Sequence, residues 1–508
     1  MKLLSAVAIA ALGLAACATA RSGSPGRTVT LVSFSDYHSH AVPFYSEGRP
    51  EQAGIARAIA YFKAAKSRPD TVIVSGGDMM NLGSPTWSDE YRCAEWPWLN
   101  GLVDVMAFGN HDVDYGPEEF SRCLEQVTYP VLGANLMGPD GRPLLLAGGK
   151  PYLVKEVGGV RLGLFAVAGA DFQRLVKKER LPPGAQWTEP LAEARRLVTA
   201  LREVEKVDAV VFIGHQNRED DEAMAHAVPG IDVILGSHSH HKGELARIPG
   251  TGTYHVSPYQ YLTYVAEVRL RFEGGKLAEV SGGLVRMDES LPEDPAVKAR
   301  VAKMQRELER KHPERFRVLG HAAVELSDAN VASGESLIGN WATGVLRQAA
   351  GAHVFTTTAS SFRGSLPPGE VTVEAFHGAI PYKNTLVTAE VSGEQLEAWL
   401  AYSVSRMGAD GFSQQSGARY RVRDGKPVEL QVLKDPARLE AGYVPVDPAG
   451  TYTLATTDFQ AFVAQGYREL FATFRDPKRT GKDVHAELMA ALEAEPARAE
   501  LDGRDGGR

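Results

Sequence analysis

Cysteine is scarce: the 508 residues contain three. Cys17 lies in an apolar leader, so Cys93 and Cys123 are left to make at most one disulfide. Basic residues are outnumbered, 55 Lys and Arg against 63 Asp and Glu, for a net charge of −8. That balance argues against a nucleic-acid partner, which would want a basic face. No internal run is apolar for long enough to span a bilayer. Otherwise the composition is that of a soluble globular protein, 44% hydrophobic and 23% charged. The chain is too long for one core, so two domains with connections are expected.

The N-terminus stands apart. Lys2 precedes an apolar run over residues 3–16, the shape of a secretory signal and too short for a stable spanning helix. The run ends in Leu14-Ala15-Ala16-Cys17, which resembles a bacterial lipobox. In such proteins the cysteine is lipidated and becomes the first mature residue. The plainer alternative is cleavage at Ala18-Thr19-Ala20. The lipobox reading makes residues 1–27 a signal and flexible tether. It predicts an exported protein held in the cell envelope, in the periplasm or at the outer membrane, through a lipid on Cys17. In that oxidising space Cys93 and Cys123 either pair or stay free, since sequence does not show whether their Cβ atoms face one another.

What the chain does have is histidine and aspartate at strand ends. Residues 231–235 form a short apolar run, closed by Gly236-Ser237 and then His238 and His240. On an extended segment this spacing puts both imidazoles on one side. Imidazole suits zinc, iron, manganese and similar ions. The pattern recurs upstream. A strand predicted over 28–34 runs into Asp36 and His38, and one over 71–74 into Gly76-Gly77-Asp78. A strand over 103–108 runs into Gly109-Asn110-His111-Asp112-Val113-Asp114, and one over 208–213 into Gly214-His215. Residues 162–167 are apolar, carry no site residue and read as sheet core. Residues 52–66 and 191–204 have helical spacing. Alternating strands and helices with polar residues at strand ends describe an α/β domain whose site lies along one sheet edge. Singly, each motif is ordinary, for Asp-x-His after a strand is often a capped turn. Five in this order make a metal site.

Together these blocks resemble the calcineurin-like metallophosphoesterases and, within them, the bacterial 5'-nucleotidase family. That family includes 2',3'-cyclic phosphodiesterases and UDP-sugar hydrolases. The resemblance implies a four-layer α/β/β/α sandwich over residues 28–290 and a smaller α/β substrate-binding domain over 318–496. It implies two divalent transition-metal ions, of manganese, zinc, iron or cobalt. One would take Asp36, His38 and His240, the other Asn110, His215 and His238, with Asp78 as the bridge. Such ions lie about 3.5–4 Å apart, polarise the phosphoryl oxygens and hold a bridging water as hydroxide. His111 is assigned to the phosphoryl group, with Asp114 behind it to fix its tautomer and support a positive ring. Asp112 is the second choice for that partner. His40 and His241 fall outside the ligand set.

Residues 291–317 are charged, with apolar positions at 297, 301, 304 and 308, and read as a linking helix. In the second half the resemblance sets Arg363 against the substrate phosphate. It sets two aromatics around a nucleobase, Tyr382 (with Asn384 beside it) and Tyr467. Each tyrosine could equally be half-buried and structural. The sequence departs from the family here. Ala359-Ser360-Ser361-Phe362 replaces Asn-Gly-Gly-Ile, Ala464-Gln465-Gly466 replaces Gly-Gly-Asp-Gly, and residues 328–333 hold no arginine. Residues 497–508 are polar and glycine-rich and are expected to be a disordered tail. The expected protein is a monomeric metal-dependent hydrolase of nucleotides or related phosphate esters. A thiosulfohydrolase of the sulfur-oxidation type on the same fold is the alternative. A non-catalytic surface-binding protein is a third reading, opposed by the complete ligand set.

Overall fold

In the first half of the chain two six-stranded sheets pack face to face. The computed structural model describes residues 26–500, so the leader with Cys17 and the last eight residues lie outside it. The first sheet runs, in space, Lys276–Arg286, Tyr264–Glu273, Arg27–Phe34, Thr71–Ser75, Val105–Ala107, Val131–Leu132. The second runs Lys242–Arg247, Tyr254–Pro258, Val233–Gly236, Ala209–His215, Val160–Ala168, Leu153–Val157. The four strands from Arg27–Phe34 to Val131–Leu132 are mutually parallel, as are those from Tyr254–Pro258 to Val160–Ala168.

Both faces of these central strands are covered, which is why their sequences are almost unbroken Val, Ile and Leu. Val29, Leu31, Val72 and Val74 meet Leu162, Leu164, Val211 and Ile213 between the sheets. Alternate residues Val32, Phe34 and Ile73 face an outer layer built on helices Ile55–Lys66 and Pro295–Lys311. On the other side Phe165, Phe212 and Ile234 face helices Pro190–Thr199 and Arg218–Ala227. The result is the expected four-layer sandwich. Each such side chain contributes about 1.5–3 kcal/mol when fully buried. A disulfide joins Cys93 and Cys123 inside the first outer layer, where both are fully buried.

The linking helix Pro295–Lys311 is capped by Asp294, whose side chain accepts from Ala296 and Val297 N–H. Val301 and Leu308 bury into the first domain, so this helix belongs structurally to that domain. Beyond it a five-stranded sheet runs Ser413–Ser416, Val354–Thr358, Thr451–Thr457, Thr385–Ser392, Arg475–Asp483. Helices Leu337–Ala350, Gly393–Ser405 and Val484–Ala494 cover it. The edge strand Arg475–Asp483 is nearly all exposed and charged, and no apolar alternation announces it. The tail expected from 497 needs correction. Ala497 is buried and pairs with Ala322, donating to the His321 carbonyl and accepting from Ala323, each at 2.8 Å. Asn340 holds the Glu500 carbonyl at 3.0 Å.

Candidate metal centre

Because the central strands are parallel, their C-terminal ends collect at one edge of the sandwich. Asp36 and His38 follow Arg27–Phe34, Asp78 follows Thr71–Ser75, and Asn110 follows Val105–Ala107. His215 ends its strand, and His238 and His240 follow Val233–Gly236. The chain must turn sharply there. Asp36, His38, Asp78, His238 and His240 have φ of 49°, 47°, 53°, 67° and 48°. Left-handed backbone costs a residue with a side chain about 1–2 kcal/mol, and it persists only where the surroundings over-determine it. Gly109 supplies room: a Cβ at that position would lie 2.2 Å from Asp78 Oδ1. Asp112 ties the turns together, accepting N–H bonds from Met79 and Gly109 at 2.8 Å and Asp78 at 3.3 Å. Burial, then the charge of Asp78, pushes its carboxyl up to about 7.

Two groups of ligand atoms form: Asp36, His38 and His240, and Asp78, His215 and His238. Each imidazole has one nitrogen tied outward. His38 Nδ1 donates to the Met80 carbonyl at 3.0 Å and His215 Nδ1 to the Gly76 carbonyl at 2.6 Å. His238 Nε2 donates to Asp171 at 3.0 Å, and His240 Nδ1 donates to the Gln260 amide oxygen. For His38 and His240 the other nitrogen, Nε2, therefore carries a lone pair. Those two lone pairs face one another, and the free nitrogen of His215 faces oxygens. His38 Nε2 lies 3.1 Å from His240 Nε2. His215 Nε2 lies 3.3 Å from both Asn110 Oδ1 and Asp78 Oδ2. Asp78 Oδ2 is also 3.7 Å from His38 Nε2, so it faces both groups. Acceptors this close repel unless a cation sits among them. The donor set, imidazole with carboxylate and amide, suits a divalent transition metal.

The electrostatics agree. Asp36 and Asp78 are buried, and among the described residues their ion-pair partners are histidines. Burial raises the Asp36 carboxyl to about 6. Burial also opposes ionisation of Asp78, but His215, His111 and His38 outweigh it and hold that carboxyl well below its ordinary range. Burial keeps His38 and His240 far below theirs, in the neutral form that binds metal. For His215, Asp78 and Asp36 overcome burial and push the ring up to about 9. That corner attracts positive charge.

His111 points elsewhere. Its Nδ1 donates to Asp114 at 2.7 Å, and Asp114 also accepts from Leu82 N–H at 2.9 Å and pairs with Arg180. Burial lowers its proton affinity, but Asp114 and Asp78 outweigh that and raise the ring to about 10. Asp114, not Asp112, is thus its partner. Asp171, Arg180 and Gln260 lie outside the sequence motifs. Asp171 follows the end of Val160–Ala168 as the other site residues follow their strands, and that spacing could have found it. Arg180 and Gln260 carry no such signal. His40 stacks on Tyr261 at 3.6 Å between centroids, and His241 accepts from Arg218 at 2.9 Å.

The second domain faces this centre with Arg363 and Tyr382. Arg363 Nε donates to the Tyr382 hydroxyl at 3.3 Å, and its guanidinium carbon is 5.7 Å from that ring's centre. After burial, Arg363 is the largest influence lowering His240, and Tyr382 adds to the forces raising His111. Tyr382 is 38% exposed. The Asn384 carbonyl accepts from Val484 N–H at 2.9 Å at the start of the neighbouring helix. Tyr467 does not join them, which corrects the sequence reading. It is 1% exposed, packs on Trp399 and Tyr402, and bonds Ser413 and the Gly411 carbonyl through its hydroxyl. It has no free face for a base.

Residues 29–242 match the calcineurin-like phosphoesterase family, and residues 318–473 match the 5'-nucleotidase C-terminal domain. Fold and site therefore define a calcineurin-like, metal-dependent phosphoester hydrolase. Protein UshA of Yersinia enterocolitica is 24% identical over 504 residues, covering 87% of this chain and 86% of that one. A 5'-nucleotidase precursor from Thermus thermophilus has a TM-score of 0.73 at 26% identity, covering 94% of this chain and 99% of its own. The sulfate thiohydrolase SoxB from the same species shares the fold at TM-score 0.71 and 19% identity, with 94% and 96% covered. The chain thus carries a calcineurin-like phosphoesterase domain first and a 5'-nucleotidase C-terminal domain second.

The outward ties carry a prediction. Asp171 orients His238 and is itself held by Asn217 at 3.1 Å. Replacing such an outer partner typically costs about 10–100-fold in metal affinity. Asp171→Ala should weaken manganese binding by that factor, read by calorimetry, with the melting curve still cooperative. Unchanged affinity would show that the ring needs no such support.

Proposed function

We propose that this chain hydrolyses phosphate esters at a two-ion centre and that its substrates are nucleotides or closely related esters. The observation that carries the reading is two adjoining groups of ligand atoms, Asp36 with His38 and His240 and Asp78 with His215 and His238, with Asp78 Oδ2 also facing His38. Asp36, His38 and His240 would hold one ion, Asn110, His215 and His238 the other, with Asp78 shared. When bound, two divalent cations supply Lewis acidity to the phosphoryl oxygens and to an attacking water. The residues around them do the rest. His111, kept cationic by Asp114, is placed to stabilise charge on the phosphoryl group or to protonate the leaving oxygen. Arg363 offers a planar pair of donors to the phosphate from the other domain. Tyr382 presents a ring on which a base can stack, with Asn384 nearby. A thiosulfonate in place of the phosphate ester is the second reading, favoured by the missing arginines of residues 328–333.

Ligand and catalytic roles separate by mutation. Elemental analysis of the purified wild type should give about two transition-metal ions. Asp78→Asn should lose both. His111→Ala should keep both and lose about 10²–10⁴-fold in turnover, the usual cost of removing a general acid or base. Metal loss in the His111 variant would contradict this division.

The substrate class rests on a contrast. Stacking contributes about 1–3 kcal/mol per base, or roughly 5–150-fold in affinity. Tyr382→Ala should raise the KM for AMP by that factor and leave an aryl phosphate unaffected. Tyr467→Ala should instead lower stability by about 3–5 kcal/mol, as loss of a buried aromatic does. Equal losses on both substrates, or turnover of a thiosulfonate in preference to AMP, would overturn the nucleotide reading.

We further propose that Cys17, outside the described residues, carries the lipid anchor. Among the described residues no helix is long and apolar enough to cross a membrane. Several acyl chains on one cysteine anchor a protein stably where one does so only marginally. Wild type should partition into detergent and Cys17→Ser should not. A fully water-soluble wild type would contradict the anchor.

A further inference from the structure

Gln260 lies where the two domains meet. It touches a candidate metal ligand on one side and the backbone of the second domain on the other. The residue is 4% exposed. Its Nε2 donates to the Arg363 main-chain carbonyl at 3.2 Å, and its Oε1 meets His240 Nδ1. The orientation of the amide is forced. A carbonyl can only accept, so the amide nitrogen must face Arg363 and the amide oxygen must face His240. His240 must then carry its proton on Nδ1, which leaves the Nε2 lone pair directed at the ligand group, 3.1 Å from His38 Nε2. If the Arg363 segment moved away, the amide would be free to turn and offer its N–H to Nδ1. That contact favours the other tautomer, which puts a proton on Nε2 and blocks ligation.

The loop presenting Gln260 is strained as well as buried. Tyr259, Tyr261 and Leu262 have φ of 69°, 59° and 60°. Such backbone is rare for residues with side chains and is held only by its surroundings. The holding groups are visible. Ser35 Oγ donates to the Tyr259 carbonyl at 3.1 Å, and Tyr261 N–H donates to the Asp36 carbonyl at 2.8 Å. The loop is thus clamped to the same turn that carries Asp36, a second member of the ligand group. On the far side, Arg363 N–H donates to the Ala379 carbonyl at 2.8 Å, which fixes the acceptor that Gln260 reads.

We propose that Gln260 is a positioning residue that couples metal binding at Asp36, His38 and His240 to the docked position of the Arg363 segment. The docked segment fixes the amide, and the amide fixes the tautomer of His240. By linkage, an ion held by His240 favours the docked segment by the same factor. The inference rests on the reading of those three residues as metal ligands.

Two substitutions separate the two contacts. Gln260→Glu keeps an acceptor for His240 and removes the donor to Arg363. Gln260→Leu removes both. Metal-free full-length protein would be titrated with manganese alone by calorimetry. Amide hydrogen exchange across residues 359–364 would be followed by mass spectrometry with and without the ion. In the wild type, manganese should slow exchange of that segment by threefold or more. The Glu variant should bind manganese at least as tightly as wild type, yet exchange should no longer respond. The Leu variant should lose about 10–100-fold in affinity, and its exchange should not respond either. Bound manganese with unchanged exchange in the wild type would overturn the coupling alone. Equal affinity in wild type and Leu variant would overturn the tautomer role. A wild type that binds no manganese would overturn the metal reading and the coupling together.

Discussion

Four imidazole rings in this protein have one nitrogen tied to an outward acceptor, and three of them turn the other toward a neighbouring ring nitrogen or an oxygen. Buried acceptors that face acceptors are unfavourable by themselves, because each has given up water for a repulsive neighbour. A divalent cation reverses the sign of every one of those contacts. The outer acceptors then have a clear task. They keep the inward nitrogens unprotonated, and their own character differs: a carbonyl at Met80, a carbonyl at Gly76, a carboxylate at Asp171, an amide at Gln260. The carboxylate makes its ring the more basic ligand, while the amide ties its ring to the second domain.

The rest of the fold serves that constraint. Parallel strands covered on both faces bring their ends to one edge, and the sandwich brings two such edges together. Candidate ligands from the first sheet, Asp36, His38, Asp78 and Asn110, meet those from the second, His215, His238 and His240. The turns needed for this are left-handed at five positions that carry side chains. The layers behind them are fully buried aliphatic residues, so the strained turns have a rigid base. His111 stays outside the two groups, its Nδ1 held by Asp114.

Much of this was legible from the sequence, for physical reasons. Aliphatic runs ending in Gly and then Asp or His read plainly, since strand burial and strand ends leave periodic traces. The four layers and the five blocks followed from those runs and from the resemblance they carry. What was not legible depended on contacts between distant segments. Tyr467 looked like a stacking residue because it follows a glycine turn. Only the fold brings Trp399 and Tyr402 onto it, from a helix more than 60 residues upstream. Gln260 sits in a loop whose meaning comes from Arg363, in the other domain. Ala497 pairs with Ala322 although a polar, glycine-rich tail gives no sign of it. Asp171 does carry a local trace, because it follows its strand as the other site residues follow theirs.

The central claim is that the inward lone pairs surround two cations shared by Asp78. Anomalous diffraction from crystals grown with manganese tests it directly. The account predicts two peaks about 3.5–4 Å apart, one among Asp36, His38 and His240, the other among Asn110, His215 and His238, with Asp78 touching both. A single peak, or two peaks neither of which contacts Asp78, would contradict it.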